Sequence, residues 1–188
     1  MEKMIYIYKK IELLTNLKIT LILLFITFSM MFFVNFIDSP VGVTRINSIA
    51  PNVGILDFLT YYNSNTAYSL LENLTQEGRK TYLNLLIFFD FIFPMVYSIS
   101  FSSLILLILK NTLKKENKLN ILAITPIFIG FFDILENLSI INMILNFPER
   151  IFIANFAGYF TLGKQIFSVL SVGLIFFSLI FLVISKKD

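Results

Sequence analysis

The chain contains no cysteine and no histidine. Without thiols, disulfides, thiolate nucleophiles and zinc–thiolate sites are excluded. Without imidazole, the usual neutral-pH acid/base and the commonest metal ligand are missing, and with them Ser-His-Asp and Cys-His triads and haem held by axial histidine. Tryptophan is absent too, so an aromatic belt at a membrane surface must lean on the eight tyrosines. Charge is scarce: 14% of residues are Asp, Glu, Lys or Arg, against about 25% in soluble domains. The net charge of +3 is modest. The basic residues sit at the flanks of apolar runs, so no nucleic-acid partner is expected.

What is abundant is apolar surface. Of 188 residues, 57% are hydrophobic and 22 are Phe, and the mean hydropathy is +0.82. Four runs reach the roughly 20 residues needed to cross a bilayer as a helix: residues 19–37, 82–109, 119–145 and 162–185. Asp38-Ser-Pro40 follows the first run where a cleaved signal would show a small-x-small site, so the run is read as a retained helix. Short connections after the second and third runs predict an all-α fold, an antiparallel four-helix bundle in a membrane, forming a single domain. Residues 38–81 form the one long polar segment. Pro40, Gly42, Pro51 and Gly54 argue against regular structure in its first half. Short helices are expected at 55–62 and 67–74, with an N-cap at Asn65 or Thr66, and another helix is expected to start after Thr75. The second run should continue that helix, kinked at Pro94. A partial helix is expected at 151–160 before the fourth run, whose Gly163 and Gly173 allow close packing.

Lysine placement predicts orientation. Lys3, Lys9, Lys10 and Lys18 lie in the leader, four more lysines at 110–118, and Lys186 and Lys187 at the end. Lys/Arg-rich loops stay on the cytoplasmic side. Both termini and the 110–118 connection are therefore expected to be cytoplasmic, and residues 38–81 to face out.

The polar residues inside the runs carry the functional question. Asp133, Glu136 and Asn137 are spaced i, i+3, i+4 and share one helix face, close to that of Pro126 and Gly130. A carboxylate facing lipid costs at least about 2.5–3.5 kcal/mol, so these must face other helices or a pocket. Their expected partner is Lys164, which shares a face with Thr161, Gln165 and Ser168. In a continuous second helix Arg79, Asp90, Pro94 and Tyr97 would share a face, with Arg79 able to neutralise Asp90. Three polar faces thus converge in the outer half of the bundle. The residues expected around a ligand are Arg79, Tyr82, Asp90, Tyr97, Asp133, Glu136, Asn137, Lys164 and Gln165.

Three chemistries fit this set, beside plain interhelical packing. Asp90 and Asp133, with Glu136 as a further candidate, could share a proton as the acid and base of an intramembrane enzyme. The acids could be counter-ions to a lipid-like or cationic ligand. They could also form a carboxylate-lined ion or metal site, with Asp90, Asp133, Glu136 and Asn137 as hard oxygen ligands suited to Mg²⁺, Ca²⁺ or Mn²⁺. No cofactor is named by the residues, and no metal ligand is assigned among them. Two aspartates in a small four-span protein are similar in number to the aspartyl lipoprotein signal peptidases, whose Gly-Asn-x-x-Asp-Arg type motif this chain lacks. The ordered string Gly78-Arg79-x-x-Tyr82, Asp90-x-x-Phe93-Pro94-x-x-Tyr97, Asp133-x-x-Glu136-Asn137, Pro148 and Thr161-x-x-Lys164 resembles a family of small four-span membrane proteins without an assigned activity. That resemblance covers about residues 55–180. It implies a shared site and supplies no reaction.

Overall fold

The computed structural model describes residues 2–113 and 117–185. Among these the chain is all-helical, as expected, with eight α-helices, two short 3-10 turns and no strand. They are α1 (Glu2–Leu14), α2 (Leu17–Phe36), α3 (Val43–Ile49), α4 (Ser64–Asn73), α5 (Thr75–Phe88), α6 (Phe93–Thr112), α7 (Thr125–Leu145) and α8 (Ala154–Ser185). One 3-10 turn, Leu56–Phe58, lies between α3 and α4, and the other, Lys118–Ile124, leads into α7. Four stretches are long and apolar enough to cross a membrane: Leu17–Phe36, Phe93–Thr112, Lys118–Leu145 and Ala154–Ile180. Lys114, Lys115, Lys186 and Lys187, part of the expected orientation signal, lie outside the described residues.

Consecutive long helices run antiparallel, because paired positions rise on one helix as they fall on the next. Asp133 meets Lys164 while Glu136 meets Thr161 across α7 and α8. Tyr97 meets Asp133 while Asp90 meets Asn137 across α6 and α7. α6 lies in the middle, packed on α2, α7 and α8. Gly130 lets α6 and α7 approach closely, since a Cβ there would lie 2.2 Å from Ser98 Oγ and 2.8 Å from the Pro94 carbonyl. Gly163 does the same against the Phe132 ring, whereas Gly173 faces open space and is not a packing glycine.

The faces are inverted relative to a soluble protein. α2 buries only Thr20, Thr27 and Val34, one residue per seven, and turns Phe25, Phe28, Phe32 and Phe36 outward. Thr20 bonds Ser103 at 2.7 Å and Thr27 bonds Ser100 at 2.8 Å. α8 likewise buries Ala154, Ala157, Thr161, Lys164, Ser171 and Ser178 while Val169, Phe176 and Phe177 face out. Apolar exterior and hydroxyl-bonded interior is the arrangement that hydrocarbon surroundings favour.

Two apolar clusters close the ends. At one end Ile11 of α1 packs on Ile105, Leu106, Leu109, Ala123 and Ile124. At the other, residues 43–89 fold back over α7 and α8, and Ile46, Leu56, Leu71, Tyr82, Leu86, Ile140 and Met143 are buried together. Segment 38–81 is thus a packed cap. Its details differ from expectation. Val43–Ile49 is helical despite its flanking Pro and Gly, because Val43 and Ile46 have apolar surface to bury against. Residues 55–62 form only the single 3-10 turn. The cap of α4 is Asn63, whose side chain accepts from the Thr66 N–H at 2.9 Å, and Thr75 opens α5 as expected, its hydroxyl accepting from the Gly78 N–H at 3.5 Å. The fourth long helix begins at Ala154, so no separate helix precedes it and Lys164 sits three turns in.

The largest correction concerns the second run. It is not one kinked helix. α5 stops at Phe88, the Asp90 N–H reaches back five residues to the Leu85 carbonyl at 3.1 Å, and α6 restarts at Phe93. Pro94 has no N–H to offer the carbonyl of Asp90. Asn137 replaces it, donating from Nδ2 to that carbonyl at 2.8 Å. A bend becomes a break because a side chain on another helix satisfies the orphaned acceptor.

Candidate functional site

The break delivers Asp90 to the interior where α6, α7, α8 and the cap meet. On α7 the face carrying Asp133, Glu136 and Asn137 is buried, with 9%, 0% and 1% exposure. Lys164 reaches across from α8 and bridges two of the acids, with Nζ 3.1 Å from Asp133 Oδ1 and 2.5 Å from Glu136 Oε2. Each acid is held at its other oxygen. Tyr97 donates to Asp133 Oδ2 at 2.7 Å, and Thr161 donates to Glu136 Oε1 at 2.6 Å. A buried ion pair is favourable only when its remaining lone pairs are satisfied in this way.

A fourth carboxylate, Asp57, stands outside the expected set. It sits in the 3-10 turn of the cap and accepts a short hydrogen bond from Tyr82. One oxygen each of Asp57, Asp133 and Glu136 lies within 4.8 Å of the others. That spacing could suit a hard divalent cation, but the Lys164 ammonium already touches two of the three. Gly158 fixes the cap's approach, since a Cβ there would fall 1.7 Å from the Tyr62 carbonyl oxygen. Tyr62 is thereby pressed against the cluster, and burial, reinforced by the nearby Glu136 carboxylate, pushes its phenol above the ordinary value. The signal for Asp57 was an acid with two apolar residues on either side, Ile55-Leu56 and Phe58-Leu59.

Four carboxylates therefore face one ammonium. Asp133 and Glu136 are held by Lys164 and Asp57 by Tyr82, while the Asp90 carboxylate has no hydrogen-bond or ion-pair partner among the described residues. A cavity of about 150 Å³ runs between Asp57, Asp90, Asp133 and Lys164, walled by Val43, Ile55 and Phe93. A second cavity, about 320 Å³ and mostly apolar, opens between α2 and α8 and also reaches Asp133, Lys164 and Phe93.

Of the residues expected at one site, Asp90, Tyr97, Asp133, Glu136 and Lys164 come together, and Tyr82 joins them through Asp57. Gln165 lies on the wall of the larger cavity. Asn137 is beside the cluster with its amide committed to the backbone of Asp90. Arg79 does not neutralise Asp90. It donates to the Leu71 carbonyl at 2.7 Å and stacks 4.0 Å from the Phe147 ring centroid; even on one helix face, about 16 Å of rise would separate it from Asp90. No protein-family model, curated protein or solved structure matches this chain.

Proposed function

We propose that this chain is a multi-pass integral membrane protein, a four-helix bundle with both termini cytoplasmic, whose acidic cavity binds a small lipophilic cation. The observation that carries the binding is the charge imbalance around the smaller cavity: Asp57, Asp90 and Asp133 line it, and Lys164 is its one basic residue. Desolvating carboxylates without a matching cation is costly. A bound ammonium group completes the set without displacing Lys164. The polar-in, apolar-out faces of α2 and α8 support membrane embedding, and the lysine-rich leader and 110–118 segment support the orientation. The motif string by which the sequence resembles small four-span proteins runs through Asp90, Tyr97, Asp133 and Lys164, which line these cavities, and a common binding site is what that resemblance implies.

The alternative is an intramembrane enzyme in which Asp90, unpartnered, exchanges a proton with a substrate while Asp133 is held in place by Tyr97 and Lys164. Butylammonium titrated into purified protein, with thermal unfolding as the readout, tests the binding. A ligand at a hundred times its Kd stabilises by about 2.7 kcal/mol. We expect that stabilisation in wild type and its loss in Asp90→Asn. An unchanged melting curve at saturating amine, with none copurifying, leaves the packing role.

A further inference from the structure

We infer that the ligand is a single-chain amphiphile, its cationic head in the acidic cavity and its hydrocarbon chain in the groove between α2 and α8, entering sideways from the bilayer. This rests on the cationic-ligand reading above and goes beyond it by assigning the second cavity. Three observations carry it. The two cavities are continuous in their walls, since both include Phe93, Asp133 and Lys164. A head on the carboxylates therefore leaves its chain pointing into the apolar groove.

The groove also has the shape and the opening a chain needs. It follows α8 from Lys164 to Ile175, about 16 Å of helix rise, and its 320 Å³ falls within the roughly 300–1,000 Å³ typical of small-molecule sites. Its rim is Phe28 and Met31 on α2 and Val172 on α8, all exposed on the outer surface. α2 is fastened to α6 through the Thr20 and Thr27 hydroxyl pairs and is not packed closely on α8. The portal thus faces the hydrocarbon layer and not water.

Finally, Ser171 lines the groove with its Oγ buried and without a hydrogen-bond partner, at 3% exposure. Buried hydroxyls find partners, and a polar group partway along the ligand chain, such as an amide or ester oxygen, supplies this one.

The test uses full-length protein in phosphatidylcholine nanodiscs and dodecylammonium bearing a diazirine at the chain terminus. Photo-adducts mapped by peptide mass spectrometry are expected around Val172–Ile175, and unlabelled dodecylammonium should compete them away. Ser171→Phe and, at an exposed position that tolerates bulk, Val172→Trp should each fill the groove and cut that yield about ten-fold, equivalent to roughly 1.4 kcal/mol. Both variants should keep their stabilisation by butylammonium, which shows that they are folded and that the head site is intact. Adducts scattered over lipid-facing residues such as Phe25 and Phe177, without competition, would overturn the groove while leaving the cationic site standing. No stabilisation of wild type by butylammonium overturns the head site and the amphiphile with it.

Discussion

Replacing Lys164 with Met tests whether the cluster is held by charge. Methionine has nearly the reach of lysine and keeps the packing against α7, but removes the ammonium that lies 3.1 Å from Asp133 and 2.5 Å from Glu136. Both carboxylates would remain in place, Glu136 at 0% exposure, with only Tyr97 and Thr161 as donors. Removing one partner of a buried pair typically costs about 3–5 kcal/mol, because the other charge stays behind. For a chain of this length that corresponds to a fall in Tm of roughly 10 °C. The chain has neither Trp nor Cys, so indole fluorescence and thiol dyes are silent, and far-ultraviolet circular dichroism of the detergent-solubilised protein is the assay. The decisive comparison is a triple variant, Lys164→Met with Asp133→Asn and Glu136→Gln, which removes all three charges and should recover most of the loss. If Lys164→Met melts with wild type, or the triple variant melts no higher than the single one, charge pairing is not what holds α7 and α8 at this point.

Two further outcomes follow from the cap and the break. Gly158→Ala should lift the chain around Tyr62 off α8, because no rotamer change relieves a clash with backbone. The cost is about 1–3 kcal/mol, visible as faster proteolysis between Ala50 and Asn63 with the long helices still intact. Asn137→Leu should strand the Asp90 carbonyl and destabilise by about 1–3 kcal/mol, while the additional change Pro94→Ala, which returns an N–H to that carbonyl, should recover part of it; a double-mutant cycle on thermal unfolding reads the coupling.

Much of this architecture is written locally. The long helices are legible because each needs only an uninterrupted apolar run. The buried face of α7 is legible because Asp133, Glu136 and Asn137 repeat at helical spacing inside one. Lys164 is legible as their partner for the same reason, being a lone cation in an apolar helix. Pro94 marks a disturbance, but whether a proline bends or breaks a helix depends on what donates to the stranded carbonyl, and that role falls to Asn137, 47 positions from Asp90. Asp57 was hidden for a related reason. Its neighbours read as a short surface helix, and only the fold-back of the cap, allowed by the missing side chain of Gly158, brings it beside Glu136. Arg79 shares a face with Asp90 only in projection, about 16 Å of helix rise away, and turns instead to Leu71 and Phe147. What the sequence obscures here are the contacts made where helices stop.

The order of residues along the chain bears on how such a protein is made. Synthesis produces Asp133 and Glu136 before Lys164, so for a time α7 carries two carboxylates with no ammonium to meet them. In the bilayer embedding proposed above, each costs at least about 2.5–3.5 kcal/mol while unmatched. Only residues 146–153 separate α7 from α8. The two helices are therefore best released from the insertion machinery together, as a hairpin already joined through Lys164, and a truncation ending before that lysine should leave α7 stalled and exposed to quality-control proteolysis.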